Sequence, residues 1–172
     1  MNDELPVRIR SLLPGPGNWG VFLGREGTRK VIAIFIDPSM AAAMVMALRR
    51  VQAPRPLTHD LIAEIFTGLG IRATKVVVNE LKDSTYFARL YLEQQNELGR
   101  NVVEIDARPS DAIAIAIQQK CPIFVSRKVW DEAEDLAEVL RQAEAKAKEA
   151  AEAGGAEEDD AADEPDEDPP KP

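Results

Sequence analysis

Apolar and polar residues begin to alternate at residues 7–13, where Val7 and Ile9 stand against Arg8 and Arg10, predicting a first strand. Pro14-Gly-Pro-Gly17 is a turn by composition. Two further strands are predicted over residues 19–24 and 30–37, joined across the glycine-containing loop Arg25-Glu-Gly-Thr28. Val31–Ile36 is apolar without interruption, the pattern of a central strand covered on both faces. Asp37 and Pro38 then start a helix, Asp as the cap for free amides and Pro at the first helical position. Residues 40–48 are apolar all round, so this helix is predicted to be buried, and Arg49 and Arg50 close it at the negative end of its dipole.

Thr58 is the expected cap of the next helix, with Leu57 and Ile62 placed as a hydrophobic staple. That helix should run to about Leu69, with Gly70 ending it. Strands are expected over residues 71–81, 85–93 and 100–106, separated by turns at 82–84 and 94–99. Residues 109–120 predict a third, mostly buried helix, and residues 123–125 a short last strand. Beyond it, Leu136, Val139 and Leu140 mark one apolar stripe on a helix expected over 131–151. Consecutive strands with short turns favour antiparallel pairing. The predicted fold is therefore α+β: a mostly antiparallel sheet from two three-strand meanders, packed with buried helices. Ile36-Asp-Pro-Ser39 and Ile105-Asp-Ala-Arg-Pro-Ser110 echo each other, each opening a helix after a meander.

Charge divides the chain. Residues 1–130 carry 17 Lys and Arg against 13 Asp and Glu, whereas residues 131–172 carry 4 against 17. A mildly basic body (1–130) thus bears a helical stem (131–151) and an acidic segment (152–172). That segment holds no large apolar residue and is expected to be disordered. Aromatics are only 5% of the chain, so Val, Ile, Leu, Ala and Met must build the core. Sheets of this kind often bury an edge or face against a copy of themselves, so a homo-oligomer is expected. The single cysteine, Cys121, leaves no partner for an internal disulfide. No run approaches the roughly 18 apolar residues of a membrane span. With no leader-like start, the expected compartment is the cytoplasm.

The chemistry on offer is narrow. One histidine, His59, rules out a mechanism needing two imidazoles, and the GxxxxGK[ST], HExxH, CxxC and GxSxG motifs are missing. Two polar helix entrances remain. In Arg55-Pro-Leu-Thr-His-Asp60, His59 sits in a first helical turn and could serve as a general base, with Asp60 beside it. The alternative is that Thr58 and Asp60 only cap the helix. In Glu104-Ile-Asp-Ala-Arg-Pro-Ser-Asp111, strand alternation puts Glu104 and Asp106 on one side, able to offer two carboxylates to a divalent metal. Arg108 and the free amides around Ser110 could bind a phosphate oxygen. The alternative there is a structural Asp106–Arg108 pair, with Asp111 complementing the helix dipole.

Arg55-Pro-Leu-Thr-His-Asp-Leu61, Tyr86-Phe-Ala-Arg-Leu90, Ile105-Asp-Ala-Arg-Pro-Ser-Asp-Ala-Ile-Ala114 and Pro122-Ile-Phe-Val125 together resemble the bifunctional nuclease family. The resemblance covers roughly residues 5–130. It departs at Pro38-Ser-Met-Ala41, where that family often carries an acidic residue. It implies a nuclease acting on both RNA and DNA and assigns no catalytic residues. With that activity in view, His59 and Asp60 are expected as base and orienting group, and Asp106 and Asp111 as carboxylates at a metal (Mg or Mn) or water. Arg55, Arg108 and Ser110 are expected to hold phosphates, with Glu104 and Asp106 as metal ligands. The rivals are a non-catalytic nucleic-acid- or protein-binding regulator on the same scaffold and an enzyme of small phosphorylated molecules.

Overall fold

A computed structural model of the chain describes residues 3–97 and 99–154. It places β1 (Glu4–Pro14), β2 (Trp19–Gly24) and β3 (Val31–Ile36) before α1 (Pro38–Arg49) and α2 (Thr58–Gly68). A second meander follows: β4 (Ile71–Lys82), β5 (Thr85–Asn96) and β6 (Gly99–Ala107). The chain continues through α3 (Pro109–Gln119), β7 (Ile123–Ser126), α4 (Arg127–Glu132) and α5 (Ala137–Gly154). All seven strands form one sheet in the order β3-β2-β1-β7-β4-β5-β6. Only the β4–β7 pairing is parallel, so the fold is α+β with a mostly antiparallel sheet, as the pattern predicts.

Local chemistry explains most boundaries. Asp37 caps α1 by accepting the Met40 amide at 3.0 Å, with Pro38 at the first helical position. Gly70 leaves α2 at φ +63°, a conformation glycine adopts without strain. Asp83 and Ser84, both at positive φ, form the tight turn from β4 to β5.

The core lies between the sheet and a helix layer in which α3 packs against both α1 and α2. Residues 112–116 of α3 are all buried, as are Met44 of α1 and Phe66 of α2. On the opposite sheet face, Leu140 of α5 packs with Phe22, Val31 and Ala33. No helix among the described residues is long and apolar enough to cross a membrane.

Four expectations change. β3 is covered on both faces only over Val31–Ile34, Phe35 standing exposed, and it is an edge strand and not a central one. Helices on either side hide it, and the connector after α4 closes its outer side: the Val31 amide reaches Asp135 at 3.1 Å and its carbonyl accepts Leu136 N–H at 2.7 Å. α1 is not buried all round, since Leu48 is half-exposed and only Ala41 and Met44 are fully covered. The α2 cap is Leu57, one residue before Thr58, because Asp60 reaches back to the Leu57 amide at 2.8 Å. The single C-terminal helix is two, broken around Asp135, whose carboxylate accepts the Ala137 amide at 3.0 Å and starts α5. α5 continues to Gly154, and residues 155–172 of the acidic segment lie outside the described residues.

Among the described residues, Glu93 on β5 is the one buried acidic residue, at 2% exposure. Arg72 and Arg100 clamp its carboxylate, which their hydrogen bonds hold below its ordinary value of 4.5. A lowered folded-state value means the clamp stabilises fully above the unfolded value and is lost as pH falls through the folded one. Glu93→Gln should therefore lower the melting temperature at neutral pH and flatten its fall below about pH 4.5. A variant whose melting temperature tracks the parent's across acid pH would show that the clamp contributes nothing.

Candidate functional site

Three helix starts come together although β3 and β6 are the two edge strands of the sheet. β3 delivers Asp37 into α1, β6 delivers Arg108 into α3, and the loop after α1 delivers His59 into α2. Arg108 grips Asp111 with two hydrogen bonds, Nε at 2.7 Å and Nη2 at 3.1 Å. Across Asp111, its Oδ1 lies 3.5 Å from Nε2 of His59. The imidazole is nearly buried, at 10% side-chain exposure, whereas Asp111 keeps 29%. Asp111 thus lies between a guanidinium open to solvent and a histidine packed behind it.

Charge reinforces the arrangement. The Asp111 carboxylate, by hydrogen bonding and then by charge, pushes the Arg108 guanidinium further toward its protonated form, and Asp37 adds to this. Asp37 is itself held below the usual carboxylate range by the Ser39 hydroxyl and the Met40 amide. The field of Asp37 reaches Arg108, so the α1 and α3 starts share one electrostatic environment. Pro109 carries no amide proton, which leaves Ser110 and Asp111 to supply the free N–H groups of the first α3 turn.

The sequence-predicted residues do not all meet here. His59, Arg108, Ser110 and Asp111 do. Asp60 turns the other way: one oxygen takes the Leu57 amide and the other takes Gln118 Nε2 at 2.6 Å, two turns further along α3. It fixes the α2–α3 crossing and does not orient the imidazole. Asp106 does not pair with Arg108, whose partner is Asp111. Register puts Asp106 opposite Arg89 and Glu104 opposite Tyr91, on the sheet face away from the helices. Glu104 bonds Arg89 there at 2.9 Å. Glu104 and Asp106 share that face as predicted, but a strand's thickness separates them from His59. Arg55 is exposed on the loop before α2. Among the described residues, no three carboxylate, imidazole or thiol groups cluster closely enough to hold a metal ion. Two carboxylates would need water or phosphate oxygens to complete a Mg or Mn shell.

Sequence reasoning missed Asp37 and Gln118 as members of this region. Asp37 was read only as a cap, although the echo of Ile36-Asp-Pro-Ser39 in the α3 start pairs the two entrances. Gln118 carries no mark in a helix that otherwise reads as core. A cleft of about 770 Å³ lies on the Asp60 side of α2, between Met46, Leu48, Gln118 and Lys120. The imidazole is not among the groups lining it.

Comparison with known proteins gives one consistent result. A family model described as the bifunctional nuclease domain matches residues 21–138. An uncharacterized protein of Mycobacterium tuberculosis is 35% identical over 134 residues, covering 77% of this chain and 76% of the relative. Bifunctional nuclease 1 of Oryza sativa subsp. japonica is 29% identical over 129 residues, covering 74% of this chain and 38% of the relative. Bifunctional nuclease 2 of Arabidopsis thaliana is 30% identical over 102 residues, covering 59% of this chain and 31% of the relative. The match therefore spans about a third, 31–38%, of the length of these plant proteins.

Proposed function

The chain belongs to the bifunctional nuclease family, and from that premise we propose that it hydrolyses phosphodiester bonds in RNA and DNA with little sequence preference. The observation that carries the reading is the His59–Asp111–Arg108 arrangement at the converging helix starts. His59 is the proton acceptor for the attacking water, and Asp111 fixes its ring. Arg108, with Arg55 from the neighbouring loop, draws a phosphate toward the free amides of Ser110 and Asp111. A phosphate arriving there competes with Asp111 for Arg108, which frees the carboxylate to interact with the imidazole at the moment substrate binds. Contacts confined to phosphates carry no base information, which fits a nuclease of low sequence preference. The +4 body supports the attraction to a polyanion.

A Mg or Mn ion held by Glu104 and Asp106 would sit on the sheet face away from His59 and would neutralise charge on the polyanion there, not on the phosphate drawn to Arg108. The His59 and Arg108 roles stand without it. Labelled RNA and DNA incubated with the purified chain test the reading directly: cleavage of both is expected. Adding a chelator then assigns the ion. Loss of cleavage that Mg or Mn restores supports Glu104 and Asp106 as ligands, and undiminished cleavage removes both from the site.

The rival reading, a nucleic-acid- or protein-binding regulator, draws on the same ion pair. Arg108 locked to Asp111 over a buried imidazole is also how a purely structural helix junction looks. Binding without turnover of either substrate would favour it. We further propose that the chain acts in the cytoplasm as a homo-oligomer. Self-association is supported by the α2 flank, where Leu61, Ile65 and Leu69 stand half-exposed at a spacing of four.

A further inference from the structure

With five Phe, two Tyr and two Trp, the chain has few rings for its core, yet three of them stand outside it on the outer face of β5 and β7. Ala88, Leu90 and Leu92 of β5 enter the core, so Phe87, Arg89, Tyr91 and Glu93 point away from the helix layer. Phe124 of β7 lies between the core residues Ile123 and Val125 and faces the same way. Phe87 is 37% exposed, and Tyr91 and Phe124 are half-buried. α5 packs on β1 and β3, on the other side of β7 from β4 and β5. Register sets Phe87 opposite Glu80, Tyr91 opposite Lys75, and Phe124 opposite Val77 and Pro6, so the rings do not form cross-strand aromatic pairs.

Cations are interleaved with the rings. The Lys75 ammonium lies 4.4 Å from the centre of the Tyr91 ring and 5.9 Å from that of Phe124, and Glu4 accepts its hydrogen bonds at 2.7 and 2.8 Å. Arg89 stands between Phe87 and Tyr91 along β5. Beyond Tyr91, Arg72 and Arg100 share the buried carboxylate of Glu93, while their own side chains are 70% and 65% exposed. Two guanidiniums on one carboxylate leave one positive charge in excess, and their ten N–H donors outnumber what that carboxylate can accept. The other end of the face is acidic, with Glu104 and Asp106 opposite Tyr91 and Arg89.

We propose that this face is a stacking platform for the bases of a single-stranded nucleic acid, with Arg72 and Arg100 holding a phosphate at one end. The proposal rests on the nuclease reading above and names the form of its substrate. A duplex hides the faces of its bases in its own stack, whereas a single strand can lay them on Tyr91, Phe124 and Phe87. Tyr91 and Phe87 are four residues apart on β5, a span of about 13 Å at the rise of a strand. The Phe87 end is also where β6 hands over to Arg108, since Ala88 pairs with Ala107. A strand laid along β5 therefore leads from the arginine pair toward the start of α3.

Fluorescence anisotropy of the full chain in magnesium buffer tests this, with a labelled phosphorothioate oligothymidylate that resists cleavage. The single strand should bind on the order of 10-fold more tightly than the matching duplex. Phe87→Thr and Tyr91→Thr keep a strand-forming residue and remove the ring. Each should weaken single-strand binding on the order of 10-fold while leaving duplex binding and the salt dependence as in the parent. Arg100→Gln should instead lower the slope of log affinity against log salt by about 1. Should Tyr91→Thr fail to fold, Phe87→Thr, at the exposed position, decides alone. No binding of the single strand, equal binding of the duplex, or ring variants that bind like the parent would each overturn the platform. Cleavage of unmodified RNA and DNA is scored separately. A chain that binds as expected but cleaves neither keeps the platform and loses the nuclease reading. One that cleaves while its ring variants bind like the parent does the reverse.

Discussion

Asp111→Asn is expected to lower cleavage of RNA and DNA by a factor on the order of 100 or more while the melting temperature barely moves. The substitution keeps the size of the side chain and part of its hydrogen bonding to Arg108. It removes the charge that faces Nε2 of His59 at 3.5 Å. A base that has lost its orienting carboxylate still folds into place but no longer holds its ring for proton transfer. The cost to stability stays small because the Arg108 side chain is 72% exposed and water screens the pair. His59→Gln should reproduce the loss by removing the base itself. Asp106→Asn is the contrast, since that residue lies on the far sheet face and touches the chemistry only through a metal ion. Turnover rates and thermal melts of the three variants separate the roles. If Asp111→Asn and His59→Gln both fold and cleave like the parent, the converging helix starts are not the active site.

Ile113→Ala should give the largest loss of stability, about 3 kcal/mol. Ile113 is fully buried in the first half of α3, the helix that contacts α1, α2, β4 and β5. Neighbours pinned from so many sides cannot close over the missing atoms, so a cavity remains. In a domain of this size the melting temperature should drop on the order of 10 °C. Leu61→Ala, at a half-exposed position on α2, should change stability by roughly 0.5 kcal/mol or less. Urea unfolding of both variants measures the difference, and a loss below about 1 kcal/mol for Ile113→Ala would show the helix layer to be loosely packed. Cleavage per folded molecule should persist in Ile113→Ala, because the residue packs the site's helix without touching its polar groups.

Where local chemistry decides, the sequence was readable. Asp37 with Pro38, Gly70 at positive φ and the alternation of β4 and β5 each carry their cause within a few residues. Errors arose where distant chain supplies the environment. Val31–Ile36 reads the same whether neighbouring strands or flanking helices hide it, so its edge position was invisible. Residues 40–48 are apolar, yet apolarity does not say how much of a helix the core will take. The break before α5 depends on Asp135 being drawn to the Val31 amide, a contact between opposite ends of the domain. The site followed the same rule. His59 and Asp111 were each visible as helix-start residues, but their meeting is tertiary. Asp60 and Asp106 were grouped with them by nearness in sequence, and the turn of a helix and the pleat of a strand sent each elsewhere.

Placing β7 between β1 and β4 has a consequence for how the chain acquires its structure. Val7 pairs with Ile123 and Val76 pairs with the same residue from the other side, so one late strand welds two meanders made much earlier. During synthesis the first meander emerges with β1 unpaired on its inner edge, and it must wait until almost the whole domain has left the ribosome. High contact order of this kind slows folding and prolongs exposure of an open strand. β1 also lies ahead of residue 21, where the family match begins. A fragment cut at that boundary would lose β1 and the first residues of β2, leaving β7 unpaired on one side and β2–β3 detached from the rest of the sheet, so it should fail to fold stably.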